Sequence, residues 1–420
     1  MKISRRRFLQ ISSALALQAC AGGGRLRLSG NARPKDPRFY VPSPRYYLKF
    51  DQDFSRQTLE KKLKAPSAVF RDTHHSLLTV ANGDGTGIRK VLLPGLAHST
   101  MVDGDLVYIV PTDRQPWLYA LDADTLEIAR FVQVADSDFK FGGHAALIPG
   151  TNHFAISTNG SVAGKYDRVS IRERDTLKEV ASVSSYGFEA HDLKVSADGK
   201  RLFTGHYGSM FGTGPYKGTL NLDLKDLEKK KKAYGASEYQ NIYPASVTVV
   251  ELSSGKLLNR YSSVDGGAHC HFALGSEERV YLPHQPSLIA NRSDVMTNPW
   301  FGEGVHGPDQ LSSFLPKMKA GFGTSIAFDE KNGQILIPAR WSEDLKYFSE
   351  NKPEEFQSQD LRPQVPKLEK THGLVMHPDG DTYVITGDNW FTTFERKTHR
   401  LVAERTFPVD LFIHAHVSVG

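Results

Sequence analysis

The chain has 420 residues, with 52 Lys and Arg against 47 Asp and Glu, for a formal charge of +5. So small an excess gives no electrostatic case for nucleic-acid binding. Two cysteines exclude a disulfide-stapled framework, and the length suffices for two ordinary domains or one large closed array.

The N-terminus reads as an export signal. Met1-Lys2-Ile3-Ser4-Arg5-Arg6-Arg7-Phe8-Leu9 is basic, a weakly apolar run covers 11–19, and small residues end it. That is the layout of a bacterial export signal, and Arg5 and Arg6 followed by Phe8-Leu9 resemble the twin-arginine type. The apolar run is well short of the ~20 residues that cross a bilayer. Cys20, in Leu17-Gln18-Ala19-Cys20-Ala21, stands where an acylated cysteine would become the mature N-terminus. Gln18 departs from that pattern, and cleavage after Ala19 is the alternative. Residues 1–20 hold four basic side chains, so without them the charge falls by four, from +5 to +1. Residues 21–65 read as a flexible tether and lead-in. The expected location is the periplasm, with a lipid anchor as the only membrane contact.

From residue 66 onward the chain repeats. Strand patterns over 76–82 and 87–93 have no inner strand before them. Units of one design then open at His98, His144, His191, His269 or His271, Thr324 and His372. Each has a short alternating apolar strand, a Gly/Asp/Pro turn and a second apolar strand. A second hairpin follows in four units, turning at Asp122-Ala-Asp-Thr125, Arg174-Asp-Thr176, Ser253-Ser-Gly255 and Lys397-Thr-His399. Four strands per unit, mostly 44 to 48 residues apart, are the signature of propeller blades. The 78-residue step from 191 to 269 places an insertion near 208–244. The chain ends on a lone first strand after His414 and His416. Paired with the strand over 77–81, it would complete a seventh blade and hide two sheet edges. The expected fold is therefore all-β, a single seven-bladed β-propeller over 66–420.

Three segments carry a family likeness. Gly143-His144 with its hairpin is similar to a Gly-His-Gly blade start. Phe188-Glu-Ala-His191-Asp-Leu with Ser196-Ala-Asp-Gly199 is similar to a Gly-x-x-Pro-His-Glu-Leu motif. Gly218-Thr-Leu-Asn-Leu-Asp-Leu224, then Pro244-Ala-Ser-Val-Thr-Val-Val250, is similar to a Lys-Leu-Asn-Leu-Asp segment before a strand. Together they resemble the uncharacterised exported proteins of the DUF1513 type, best over 92–285. The resemblance implies a twin-arginine-exported propeller of YVTN/WD40-like repeats, encoded beside periplasmic iron-uptake components, with no assigned activity. This chain departs from the pattern in Ala190 before the second histidine, a longer insertion and more histidines.

In a propeller the first strand of each blade lines the channel, so residues at its start gather at one mouth. His98, His144, His191, His269, His271, His372, His414 and His416 occupy such positions. Neutral imidazoles brought together from separate blades are donors for a transition metal, iron, copper or zinc. Glu189 and Asp192, beside His191, are the candidates to hold a second ring nitrogen. Cys270 lies between two of the histidines, but strand alternation turns it from their shared face. The competing view is that each histidine only hydrogen-bonds within its own blade.

Gly83-Asp-Gly-Thr-Gly87 lacks the Gly-Lys-Ser/Thr of a phosphate loop, and no Gly-x-Ser-x-Gly or His-Glu-x-x-His element occurs. The leading expectation is an exported metal-binding propeller that handles periplasmic iron or copper. It would act as a monomer, with protein partners from a metal-uptake or redox system and no nucleic acid. The alternatives are a metal-free interaction scaffold and a metal-dependent oxidoreductase or oxygenase.

Overall fold

The structure, a computed structural model, describes residues 37–420 apart from 44–74, 114–116, 135–138, 161–165, 207–208, 212–217, 220–240, 244–245, 263–270, 283–303, 308–309, 313–324, 339–343, 364–370, 379, 388–389 and 407–415. Arg5, Arg6 and Cys20 lie outside the described residues. Among those described, the regular elements are β-strands apart from one 3-10 turn, Ser276–Glu278. No helix among them is long and apolar enough to cross a membrane.

The strands form antiparallel sheets that follow the chain. Ala97–Asp103, Leu106–Asp113, Trp117–Asp122 and Ile128–Gln133 meander outward. They join the next four, Phe139–Leu147, His153–Gly160, Arg168–Glu173 and Glu179–Ser184, in one eight-stranded sheet. Four-stranded sheets follow. One runs from Ala190–Val195 to Leu257–Ser262, another from Ala273–Leu274 to Gln310–Ser312. A third runs from Ala327–Asp329 to Lys352–Asp360, and a fourth from Thr371–Met376 to Leu401–Thr406. Part of the expected insertion makes its own small sheet from Ser209–Phe211, Gly218–Thr219 and Asn241–Tyr243.

The two ends of the chain share a sheet, in an arrangement that corrects the sequence expectation. Ser418–Val419 pairs with Arg38–Ser43, which in turn pairs with His75–Asn82. The C-terminal strand therefore meets residues read as tether, and not the strand over 77–81. Backbone bonds of 3.0 Å from Arg38 N to Gly420 O and from Gly420 N to Arg38 O seal the junction. The local cause is Phe39-Tyr40-Val41, all buried and strongly strand-forming, inside a stretch whose prolines suggested a linker. Phe39 meets the ring of Phe391 edge-on at 5.6 Å, tying this sheet to the last one.

One turn is used four times. Leu126, Leu177, Gly255 and His399 all sit at positive φ, between 54° and 67°. Each N–H bonds the carbonyl four residues back, on Asp122, Glu173, Glu251 and Glu395 respectively. Beside each, the strand register shifts, between Ala120/Leu121, Ile171/Arg172, Val249/Val250 and Thr393/Phe394. A short loop closed by a left-handed residue and a bulge is the standard way to join two twisted strands. Leu126 and Leu177 accept the backbone strain because their side chains are buried.

Apolar clusters lie between consecutive sheets. Tyr40, Leu78 and Val80 pack on Val107, Ile109 and Tyr119. Tyr108 and Val110 pack on Phe154 and Ile156, and Ala155 and Val169 on Leu193 and Leu202. Phe203 and Val247 meet Phe272 and Val280. Ala273 and Tyr281 meet Ile335 and Phe348, and Leu336 and Leu345 meet Tyr383 and Trp390. The path returns to the first sheet where Val384 and Phe391 meet Phe39 and Leu77. The arrangement is propeller-like.

Candidate metal centre

The inner strands share a local irregularity. Register shifts flank His98, between Ala97 and Ser99, and His191, between Ala190 and Leu193. Another spans Phe141 to Ala145, around Gly142-Gly143-His144. A bulge leaves its extra residue out of the ladder and re-aims its side chain, and here it frees the histidine from the pleat. His271 and His416 instead stand two residues ahead of their inner strands, Ala273–Leu274 and Ser418–Val419.

Glycine makes the close approach possible. A Cβ on Gly142 would lie 2.2 Å from the Ala190 carbonyl oxygen. One on Gly143, whose φ is 101°, would lie 2.5 Å from the His98 ring. Only glycine fits such a conformation and such neighbours at no cost.

Five imidazoles converge. Ring centroids are 4.6 Å apart for His98 and His416, 4.6 Å for His144 and His191, and 4.4 Å for His271 and His416. Ligand-capable atoms of His98, His144, His191 and His416 all lie within 4.8 Å of one another, as do those of His144, Asp192 and His271. His98 Nε2 and His191 Nε2 are 3.3 Å apart. Two nitrogens bound to one tetrahedral cation at ~2.0–2.1 Å would be separated by about that distance.

Of the opposite ring nitrogens, one is hydrogen-bonded and two face a carboxylate. His191 Nδ1 donates to Gly142 O at 2.6 Å, which fixes the tautomer and leaves a lone pair on Nε2. His144 Nδ1 lies 3.6 Å from Asp192 Oδ1, and His271 Nδ1 lies 3.7 Å from Asp192 Oδ2. Nε2 of His144 is buried and makes no hydrogen bond among the described residues. A buried nitrogen without a partner is costly unless something outside the chain meets it.

Charge is arranged for neutral ligands. Burial pushes His144 well below its ordinary value, helped by repulsion from His191, His416, His98 and Lys194. Burial brings His191 down to about 4 against the opposing pull of Asp192 and the Gly142 carbonyl. Both rings are therefore unprotonated at neutral pH, the form that ligates a metal. Beside them lies a cavity of about 150 Å³, whose lining includes His144, Asp192, Lys194, His271, Ser325 and His416.

The other expected residues fare differently. His269, Cys270 and His414 lie outside the described residues. His372 lies in the strand Thr371–Met376, at a register shift of the same kind between Thr371 and Gly373. Glu189 does not take up His191 as expected; its Oε2 accepts a hydrogen bond from Asn159 Nδ2 at 3.3 Å, and the Gly142 carbonyl holds the ring. A bulge brings that carbonyl in, and sequence spacing carries no trace of it. Sequence reasoning also missed Lys194, although strand alternation puts it on the same face as Asp192.

No family model matches this chain, and no curated protein does. Solved structures resemble it in fold. A chain of the crystal structure of the mitotic checkpoint complex aligns with a TM-score of 0.50 at 9% identity, over 80% of this chain and 83% of that one. The fold is of the β-propeller type. A chain of Kuenenia stuttgartiensis hydrazine synthase aligns with a TM-score of 0.46 at 11% identity, over 80% of this chain and 90% of that one. At 9% identity the likeness to the mitotic checkpoint chain speaks to the fold and to nothing else.

Proposed function

We propose that this chain is an exported seven-bladed propeller that binds one transition-metal ion in a cage of histidines at its channel mouth. The blade count follows from reading the eight-stranded sheet as two blades and the sheet shared by the chain ends as one. Lining residues of the central cavity come from the inner edge of each of the seven. Iron, copper and zinc all accept such a nitrogen set.

The observation that carries the reading is His144 Nε2, a buried neutral nitrogen with no hydrogen bond among the described residues, surrounded by imidazoles from other inner strands. An interaction scaffold has no use for that arrangement, whereas a cation would satisfy it. The remaining proposals follow from the sequence. Arg5 and Arg6 direct export, Cys20 anchors the chain in a membrane facing the periplasm, and the DUF1513-type likeness suggests a role in iron or copper handling with periplasmic protein partners.

Metal analysis of protein purified from the periplasm without a histidine-rich tag tests the reading. One equivalent of iron, copper or zinc, lost in His144→Ala, is expected. A metal-free wild-type protein that also takes up none of the three when they are supplied would overturn it.

A further inference from the structure

Lys194 is the one cationic side chain that lines the cavity beside the histidines among the described residues. Its ammonium lies 3.4 Å from Asp192 Oδ2 and 5.2 Å from the Phe272 ring centroid. The simplest account would pair it with Asp192 and stop there, but Asp192 is already crowded. Its oxygens accept the N–H of Leu193 at 2.9 Å and of Phe272 at 3.2 Å, and they face His144 Nδ1 and His271 Nδ1 at 3.6 and 3.7 Å. Phe272 N and Lys194 together take the two acceptor sites of Oδ2, with the His271 ring beside them. The Lys194 ammonium carries three N–H groups, and Asp192 engages one of them at a long distance.

Other donors line the same space. Ser325 Oγ accepts from Leu374 N at 3.2 Å, which leaves its own proton to donate. Imidazoles that ligate a metal do so as the neutral form, and Asp192 and Lys194 cancel, so a bound divalent cation would leave the site with an uncompensated charge of +2. A cavity of about 150 Å³ is on the scale that holds a benzene-sized guest, about six heavy atoms.

We propose that the cavity is a subsite for a small oxyanion, carboxylate or inorganic, which places one oxygen on the metal and another on Lys194, with Ser325 as a further donor. The inference rests on the metal reading above and adds the class of ligand the centre takes. It would make the propeller a centre that binds or transforms a small anion, beyond storing a cation. Lys194 acts here as a positioning and selecting residue.

The test uses the mature protein loaded with cobalt(II), whose visible bands report changes in coordination. Formate, and separately carbonate, is titrated into wild type, Lys194→Met and Lys194→Arg, with cobalt content measured on each. The expected result is saturable spectral change in wild type, at least tenfold weaker anion affinity in Lys194→Met, and substantial rescue in Lys194→Arg. Equal affinity in wild type and Lys194→Met overturns the proposal, as does the absence of any spectral response to both anions. Formate without carbonate binding assigns the subsite to carboxylates, and the reverse assigns it to inorganic oxyanions. Should wild type hold no cobalt, copper(II), whose visible bands also report coordination, replaces it, and protein that takes up none of cobalt, iron, copper or zinc fails the metal reading by itself. Calorimetric titration of the metal-free protein then decides the subsite, which stands only if Lys194→Met weakens the anion.

Discussion

His98 Nε2 and His191 Nε2 face each other at 3.3 Å, although the two residues open different sheets, 93 positions apart in sequence. Because His191 gives its Nδ1 proton to the Gly142 carbonyl, its Nε2 can only accept, so in the metal-free state His98 must donate across the gap. A cation between them would require His98 to move its proton to Nδ1, after which both nitrogens point lone pairs at one centre. The 3.3 Å separation thus suits either a hydrogen bond or two ligands of one cation.

Glycine at position 143 permits this approach. Gly143→Ala would force a methyl group against the His98 ring and hold alanine at a φ of 101°. The expected cost is about 1–3 kcal/mol in stability, with metal affinity falling alongside as His98 is displaced. Denaturant unfolding and metal titration measure the two effects. An alanine variant that binds metal as wild type does would show that His98 is not a ligand.

Asp192 supports two rings at once, so its charge should matter more than its shape. Asp192→Asn keeps the size and can still accept from Leu193 N or Phe272 N, but it weakens the hold on His144 and His271. Loss of such an outer partner typically lowers metal affinity 10–100-fold. Competition with a chelator would reveal it. An unchanged affinity would make Asp192 a structural hydrogen-bonding residue only.

Buried neutral histidines give the metal-free protein a defined pH dependence. Burial lowers His191 to about 4 and His206 to about 3, from an ordinary value of 6.5. Between those values and 6.5 the unfolded chain binds protons that the folded chain does not, so stability falls as pH drops. The contribution is complete above pH 6.5 and is progressively lost toward pH 4 for His191 and pH 3 for His206. At about 1.4 kcal/mol per unit, His191 alone accounts for roughly 3 kcal/mol. Thermal unfolding of the metal-free protein between pH 7 and 5, above the carboxylate range, should show a steady decline. A flat profile would mean that these rings are hydrated and not buried.

Closure of the ring depends on very few residues. Removing residues 417–420 while keeping His416 exposes the edge of Arg38–Ser43 and opens the junction between the chain ends. The melting temperature should drop by roughly 5 °C or more, with faster amide exchange at Phe39, Tyr40 and Val41. If neither changes, the terminal strand is not part of the ring's stability.

What could be read in advance follows from how local each feature is. The outer turns at Asp122, Glu173, Glu251 and Glu395 announce themselves because turn chemistry is confined to five residues. His98, His144 and His191 stand out because they recur before matching hairpins. Arg38–Ser43 escaped because its prolines argue for a tether, and only pairing with distant residues 75–82 and 418–419 makes it a strand. Spacing in sequence points only to near neighbours of His191 such as Glu189. The bulge around Gly142 instead brings a backbone oxygen to His191 from another strand 49 residues away. Lys194 was passed over because a single lysine on a strand gives no sign of the cavity it borders.

The most direct measurement is the X-ray absorption spectrum of the metal-loaded protein. A histidine cage predicts a first shell of nitrogen or oxygen at ~2.0–2.1 Å for zinc or copper, with the multiple-scattering pattern of at least three imidazoles and no sulfur. In His144→Ala that imidazole contribution should fall by at least one ring. A shell dominated by sulfur, or one with fewer than two imidazoles in the wild type, would contradict a metal centre built from His98, His144, His191, His271 and His416.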